Sequence, residues 1–309
     1  MLARTLKTWC LCVAAGAMVC GAATVDRSFN ESFPVAPGVR LELIHGDGDV
    51  DIEAWDNDRI DISVRYRVVS RGWGGVRDFE VDFDRAGDLI TVEGREISSG
   101  FSVNFGQTHE YRYTVKAPPY VALELRGDDG DVEVRDWESD IDLRSDDGDV
   151  TIDGLRGNLR LALDDGDVDL YDCDVDSATL RLEDGDVTLH GGSGDWVLTV
   201  DDGDLELLDL AAGTVKVRAE DGDVVLGLLP SGRLDIDIRT DDGDVVLAVP
   251  SEISASFTFL VDDGTISLRA DGVRVESKRA HRTTGVLGTG SGEIRVQTED
   301  GDIALRNND

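Results

Sequence analysis
The sequence predicts an all-β fold: a single elongated β-solenoid of roughly 18–21-residue coils with a strand-rich N-terminal cap. Three observations predict it. An acidic Asp-Gly element recurs ten times. Both of its flanks alternate apolar and polar residues. The number of implied strands is too large for one open sheet. Taking the Gly of each copy as zero, the copies centre on Gly48, Gly130, Gly148, Gly166, Gly185, Gly203, Gly222, Gly243, Gly264 and Gly301. From Gly130 to Gly264 the spacings are 18, 18, 19, 18, 19, 21 and 21. The last gap, 37, is about two periods, and "GTGSGEIRV" lies inside it.

Apolar residues fall at −5, +2 and +4, and often at −3. Around Gly166 these are Leu161, Leu163, Val168 and Leu170; around Gly185 they are Leu180, Leu182, Val187 and Leu189. Period-two alternation is the strand signal. It slips by one residue across the Asp-Gly pair, which places a tight turn there. The clusters "RGN", "GGSG" and "PSG" mark a second turn, so each period reads strand, acidic turn, strand, variable turn. Asp-Gly between alternating strands also fits an antiparallel meander. About twenty short strands with one apolar face exceed what an open sheet sustains, whereas stacked coils bury every inward position. The solenoid is favoured, with the meander as its alternative.

Three regions follow along the chain. Residues 1–23 read as a signal peptide: Arg4 and Lys7, then "WCLCVAAGAMV", then the small residues "CGAA". Val19 before Cys20 argues against a lipid anchor at that cysteine. Residues 24–126 depart from the period and form the cap, with strands in "LELIHGDGDVDIEAWDNDRIDISVRYRV", "LITVEGREI" and "YRYTVKAPPYVALEL" and a loop at "RGWGGVRDF". Residues 127–309 are the repeats. No second apolar segment offers a transmembrane span after cleavage.

The chain carries 65 acids and 30 bases, a formal charge of −35; losing Arg4 and Lys7 with the leader makes it −37. That excludes nucleic acid, whose phosphates this surface repels, and argues against docking on anionic lipid. With 40% hydrophobic residues there is enough for a core. Cys173 alone remains after cleavage, so no intrachain disulfide staples the exported chain; a small half-buried residue is the plain reading of it.

The acidic turn admits three readings. Position −1 is Asp in all ten copies, and +1 is Asp in nine and Thr265 in the other. Glu never replaces Asp at either, though it does at −2 (Glu183, Glu220, Glu299). A short side chain suits an Asx-turn or a left-handed backbone beside Gly, so the turn serves first as a corner. Stacked coils would also set like carboxylates about 4.8 Å apart, repelling by ~0.9 kcal/mol per pair even in water. Bound Ca²⁺ would relieve that. Its candidate ligands are Asp147, Asp149, Asp165, Asp167, Asp184, Asp186, Asp202, Asp204, Asp221 and Asp223. Catalysis is the weakest reading, because every turn carries the same group and no copy is singled out.

Nothing else stands out chemically. His45 occupies an inward −3 position, and His109, His190 and His281 lack metal-ligand spacing. There is no Gly-x-Ser-x-Gly, phosphate loop or Cys–His pairing. Trp55, Trp73, Trp137 and Trp196 are candidate sugar platforms, but isolated Trp residues on strands more often pack locally.

Three segments carry a resemblance. They are "HGDGDVDIEAWDNDRIDISVRY", the proline-marked "YTVKAPPYVALELRGDDGDVEV" and the closing "GVLGTGSGEIRVQTEDGDIAL". Together, from about Val39 to Arg306, the chain resembles the bacterial putative-adhesin family of exported β-strand repeat proteins. The resemblance implies an all-β repeat fold and an envelope location, and it brings no catalytic residues. Here the family's usually neutral turns are densely acidic. The expected function is a non-enzymatic exported envelope or surface protein, adhesin-like or a scaffold. Its acidic turns would meet Ca²⁺, a cationic partner or carbohydrate, in the periplasm, at the cell surface or outside. The rival is a carbohydrate-active β-solenoid enzyme using the turn aspartates.

Overall fold
The structure is a computed structural model that describes residues 23–70, 78–97, 107–230, 232 and 234–308. The leader before Ala23, its cysteines and Trp73 lie outside the described residues. Among the described residues there are strands and no helix. Seven strands precede the regular repeats: β1 (Ala23–Pro34), β2 (Arg40–Gly46), β3 (Asp49–Ala54), β4 (Arg59–Ser70), β5 (Asp78–Ala86), β6 (Leu89–Ile97) and β7 (Gln107–Ala117). Short pairs follow: β8 (Ala122–Gly127), β9 (Val132–Arg135), β10 (Ile141–Asp147) and β11 (Val150–Asp153). Then come β12 (Arg156–Asp165) and three long strands, β13 (Val168–Asp184), β14 (Val187–Asp202) and β15 (Leu205–Asp221). The chain ends with β16 (Val224–Leu228), β17 (Asp235–Asp242), β18 (Val245–Val249), β19 (Ala255–Asp263), β20 (Ile266–Leu268), β21 (Arg274–Arg279), β22 (Arg282–Leu287), β23 (Gly292–Asp300) and β24 (Ile303–Asn307).

The strands that enter the acidic turns pair in parallel as one ladder. Its order is β2, β8, β10, β12, the second halves of β13, β14 and β15, then β17, β23 and β19. The strands that leave the turns form a second parallel ladder. It runs β3, β9, β11, the first halves of β13, β14 and β15, then β16, β18, β24 and β20. The two flanks of one turn therefore do not form an antiparallel hairpin; each pairs with its counterpart one repeat away. The register is that of the repeat: Asp147 is opposite Asp165, Asp165 opposite Asp184, and Asp184 opposite Asp202.

The inward set read from the alternation is the core. Leu161, Leu163, Val168 and Leu170 are all buried, as are Leu180, Leu182, Val187 and Leu189. A second corner lies six residues after the five glycines from Gly130 to Gly203, with left-handed backbone at Asp136, Gly154, Asp172, Gly191 and Asp209 (φ 49° to 78°). Asp tolerates that conformation better than most residues, and Gly adopts it freely.

Both ends depart from the repeat. At the start, β6 continues the first ladder beside β2, and β5 lies antiparallel on β6. On the second ladder β7 lies beside β3, followed by antiparallel β4 and β1. Phe79 of β5 meets Tyr66 of β4 and Tyr111 of β7 at ring-centroid distances of 5.1 and 5.0 Å, joining the two ladders across the end of the core. At the other end stacking order departs from chain order. The Gly301 turn lies between those of Gly243 and Gly264. The 37-residue gap, expected to hold about two periods, holds instead the antiparallel pair β21–β22 on the outer side of β19. From there β23 returns into the ladder.

Candidate functional site
Each acidic corner is built around its glycine. From Gly130 to Gly301 these glycines have φ between 109° and 153°, a region L side chains rarely enter. They also stack without room for a side chain. A Cβ on Gly185 would lie 2.0 Å from the Gly166 carbonyl oxygen, and one on Gly203 2.1 Å from that of Gly185. The glycine N–H donates to the −1 Asp carbonyl of the next turn, as from Gly166 to Asp184 at 3.1 Å and from Gly185 to Asp202 at 2.9 Å.

The +1 carboxylates form a continuous hydrogen-bonded file. Asp131 Oδ1 accepts from the Asp149 amide at 3.1 Å, and Asp149 Oδ1 from Asp167 at 3.0 Å. Asp167 accepts from Asp186 at 2.9 Å; Asp186 from Asp204 and Asp204 from Asp223, both at 2.8 Å. The file then runs Asp223 to Asp244, Asp244 to Asp302, and Asp302 to Thr265, at 2.8, 2.7 and 2.7 Å. Such bonds to a carboxylate are charge-assisted. Their length explains the exclusion of Glu, whose extra methylene would carry the oxygens past the amide. The order explains Thr265: it is the last rung, so among the described residues no further amide awaits its side chain.

The −1 aspartates behave differently. Their strands hold them in register, one carboxylate per repeat. Asp147, Asp184 and Asp221 have pKa values raised above the usual carboxylate range. The first cause is desolvation at the packed corner, followed by the charges of the −1 neighbours on either side. Like charge on either side of each of these three favours its protonated form. Like groups in a row produce such shifts without any one site being special.

The ten aspartates nominated from sequence thus separate into two files. Asp149, Asp167, Asp186, Asp204 and Asp223 cap backbone amides; Asp147, Asp165, Asp184, Asp202 and Asp221 face their own kind. Among the described residues no group of three or more His, Cys, Asp or Glu is arranged to hold a metal ion.

The other nominated residues are dispersed. His45 is 2% exposed, neither ring nitrogen makes a hydrogen bond of good geometry among the described residues, and burial lowers its pKa to about 4. His109 approaches Glu96 at 3.4 Å and Tyr111 at 3.1 Å beside the aromatic end of the core, while His190 pairs with Asp209 at 3.4 Å on the surface. Cys173 is buried, which pushes its thiol up to about 11 and leaves it unreactive. Trp137 and Trp196 are fully buried, so neither is a sugar platform. Trp55 donates to the Arg59 carbonyl at 2.8 Å and carries the Arg59 guanidinium over its ring at 4.7 Å. An open hollow of about 730 Å³ lies against β1, β4 and β7. Both of its basic side chains are engaged, Arg59 with Asp61 at 2.9 Å and Lys116 with Glu53 at 2.8 Å. Among the described residues no helix is long and apolar enough to cross a membrane.

Two in-register parallel ladders joined by acidic glycine corners define an all-β repeat protein. The chain belongs to the Toastrack DUF4097 family, whose match spans residues 40–306. It is similar to crystal structures at low identity. One is a "putative adhesin" from Bacteroides fragilis, at 13% identity and a TM-score of 0.41, covering 91% of this chain and 97% of that one. Another is a "putative lipid binding protein" from Parabacteroides distasonis, at 12% and 0.46, covering 91% and 97%. A third is a "putative adhesin" from Parabacteroides merdae, at 11% and 0.35, covering 92% and 97%. No curated protein matches the chain.

Proposed function
We propose that this protein is a non-enzymatic exported envelope or surface protein, adhesin-like in role, in which the two ladders are the walls of one elongated β-solenoid. The observation that carries this reading is the equivalence of the corners. One file of aspartates is committed to holding repeat on repeat, and the other repeats a single environment. At about 4.8 Å per step, nine steps between ten corners make a row about 43 Å long. Such an object is a spacer that presents its faces, and the amino-terminal leader sends it out of the cytoplasm. The carbohydrate-cleaving alternative needs one pair of carboxyls with separate roles at one place, and here the same −1 and +1 pair recurs at corner after corner with no copy singled out.

The test has two parts. Cells producing the tagged chain with its own leader are fractionated and then treated with protease while intact. Recovery in the envelope or medium is expected. A full-length chain held in the cytoplasm overturns the location. Purified protein incubated with neutral and acidic glycans is expected to release no new reducing ends. Release that disappears in Asp184→Asn or Asp202→Asn overturns the non-enzymatic role.

A further inference from the structure
The first ladder ends in two open strands of opposite charge. At its start β5 pairs with β6 and, among the described residues, with nothing else. At its far end β21 pairs with β22 alone. On β5, Phe79 is buried and Glu80, Asp82 and Asp84 are exposed. Asp82 is held by Arg95 at 2.6 Å, whereas Glu80 and Asp84 have no ion pair among the described residues. On β21 every residue of "RVESKR" is exposed. Residues 269–282 hold five bases against two acids, in a chain with more than twice as many acids as bases. Elsewhere bases find acids, as Arg65 finds Asp26 at 2.7 Å. Lys278, Arg279 and Arg282 have no such partner among the described residues. Arg279 and Arg282 face each other directly across the hairpin, an arrangement that destabilises it.

We propose that the basic edge of β21 docks on the acidic edge of β5 in a second copy of this chain, joining copies head to tail. The strand directions permit it. β22 runs against β19 and β21 runs against β22, so β21 runs with the ladder. β6 runs with the ladder and β5 against it. With both ladders pointing the same way, β21 of one copy meets β5 of the next as an antiparallel pair. Main-chain bonds then supply the attachment and the side chains the selection. Charge on an edge strand normally guards against pairing. Here each guard is of one sign, so like edges repel and only unlike edges are admitted. The contact is heterologous and does not close on itself. It goes beyond the proposed role and does not depend on where the protein resides.

The net charge opposes association, and screening sets the window. At about 0.15 M salt, charges more than about 8 Å apart are largely screened while touching pairs still attract; at about 1 M those weaken too. The experiment is sedimentation velocity of the purified protein across concentration at both salts. A mass that rises with protein concentration at the lower salt and falls back toward monomer at the higher is expected. Lys278→Glu/Arg279→Glu/Arg282→Glu and Glu80→Lys/Asp84→Lys are each expected to weaken association at least about tenfold. A chain carrying both sets is expected to regain it, because the signs again match. A wild-type protein that stays monomeric up to about 0.1 mM, or oligomers that survive either reversal, overturns the proposal.

Discussion
Asp186 illustrates what one short acid does here. Its Oδ1 takes the Asp204 amide at 2.8 Å, and its own amide gives to Asp167. The bond needs an acceptor of that length, and the charge assistance lost in Asp186→Asn is offset by weaker repulsion along the file, so that variant is expected to hold its melting temperature or raise it slightly. Asp186→Ala leaves the amide unbonded and is expected to lose about 1 kcal/mol. Urea denaturation of the two variants beside wild type measures both, and equal losses would show that charge, not the hydrogen bond, matters at +1. His45 makes the opposite kind of prediction. It sits at −3, where Leu163 and Leu182 stand in other repeats. Burial lowers its pKa from 6.5 to about 4, so the unfolded chain binds the proton more readily between those values. Its contribution to stability is complete above about pH 6.5 and falls away toward pH 4, by up to about 3 kcal/mol. His45→Leu is expected to remove that acid loss, seen as a flatter stability profile from pH 7 to pH 4.5. An unchanged profile would place the acid sensitivity elsewhere.

At the scale of the element, the corner is the least forgiving part of each repeat. Gly185 combines a φ of 140° with a Cβ position 2.0 Å from the Gly166 carbonyl oxygen. Gly87 has a φ of 67° and nothing within 4 Å. Gly87→Ala therefore tests backbone strain alone and is expected to cost about 1 kcal/mol; Gly185→Ala adds a collision with neighbouring backbone and is expected to cost well over about 2 kcal/mol. Equal costs in denaturant melts would mean that the stack can spread. Much of this element was legible beforehand. Alternation named Leu180, Leu182, Val187 and Leu189 as inward, and they are buried. The recurrence of Asp at +1 in nine of ten copies was equally visible, but its cause lies in an amide one repeat onward, beyond any local pattern. The second corner left a trace in Asp136, Gly154, Asp172, Gly191 and Asp209, all at one offset, which clusters of Ser, Asn and Pro obscured. Out-of-order stacking at the far end was hidden because the turns at Gly264 and Gly301 read alike. Thr265 was the clue: the one rung without Asp is the rung without a successor.

Across the whole molecule, the balance is between strands that demand register and charges that resent it. Each turn brings another −1 carboxylate beside the last, and Asp147, Asp184 and Asp221 respond with raised pKa values. A group that binds its proton more tightly when folded stabilises the fold below its unfolded pKa, and that contribution is lost as pH rises through the folded value. The row therefore favours mild acid, just above the ordinary carboxylate range. Asp26 and Asp61, lowered first by hydrogen bonds from Arg65 and Arg59, favour pH above that range and lose their contribution below it. His45 pulls the same way between pH 6.5 and 4. In a His45→Leu background the row is left without that opposition, so stability is expected to rise as pH falls from neutral toward the upper edge of the carboxylate range. A steady fall would show that the −1 carboxylates do not govern the acid response. Cations offer the same relief at neutral pH. The +1 carboxylates each commit one oxygen to an amide, and a selective Ca²⁺ site needs six to eight oxygens closing around the ion. Melting in EDTA, Ca²⁺, Mg²⁺ and NaCl of matched ionic strength is accordingly expected to show similar rises with both divalent ions, each above that with NaCl. A rise confined to Ca²⁺ would instead make the corners metal sites, since only a specific ligand stabilises the native state by its own affinity.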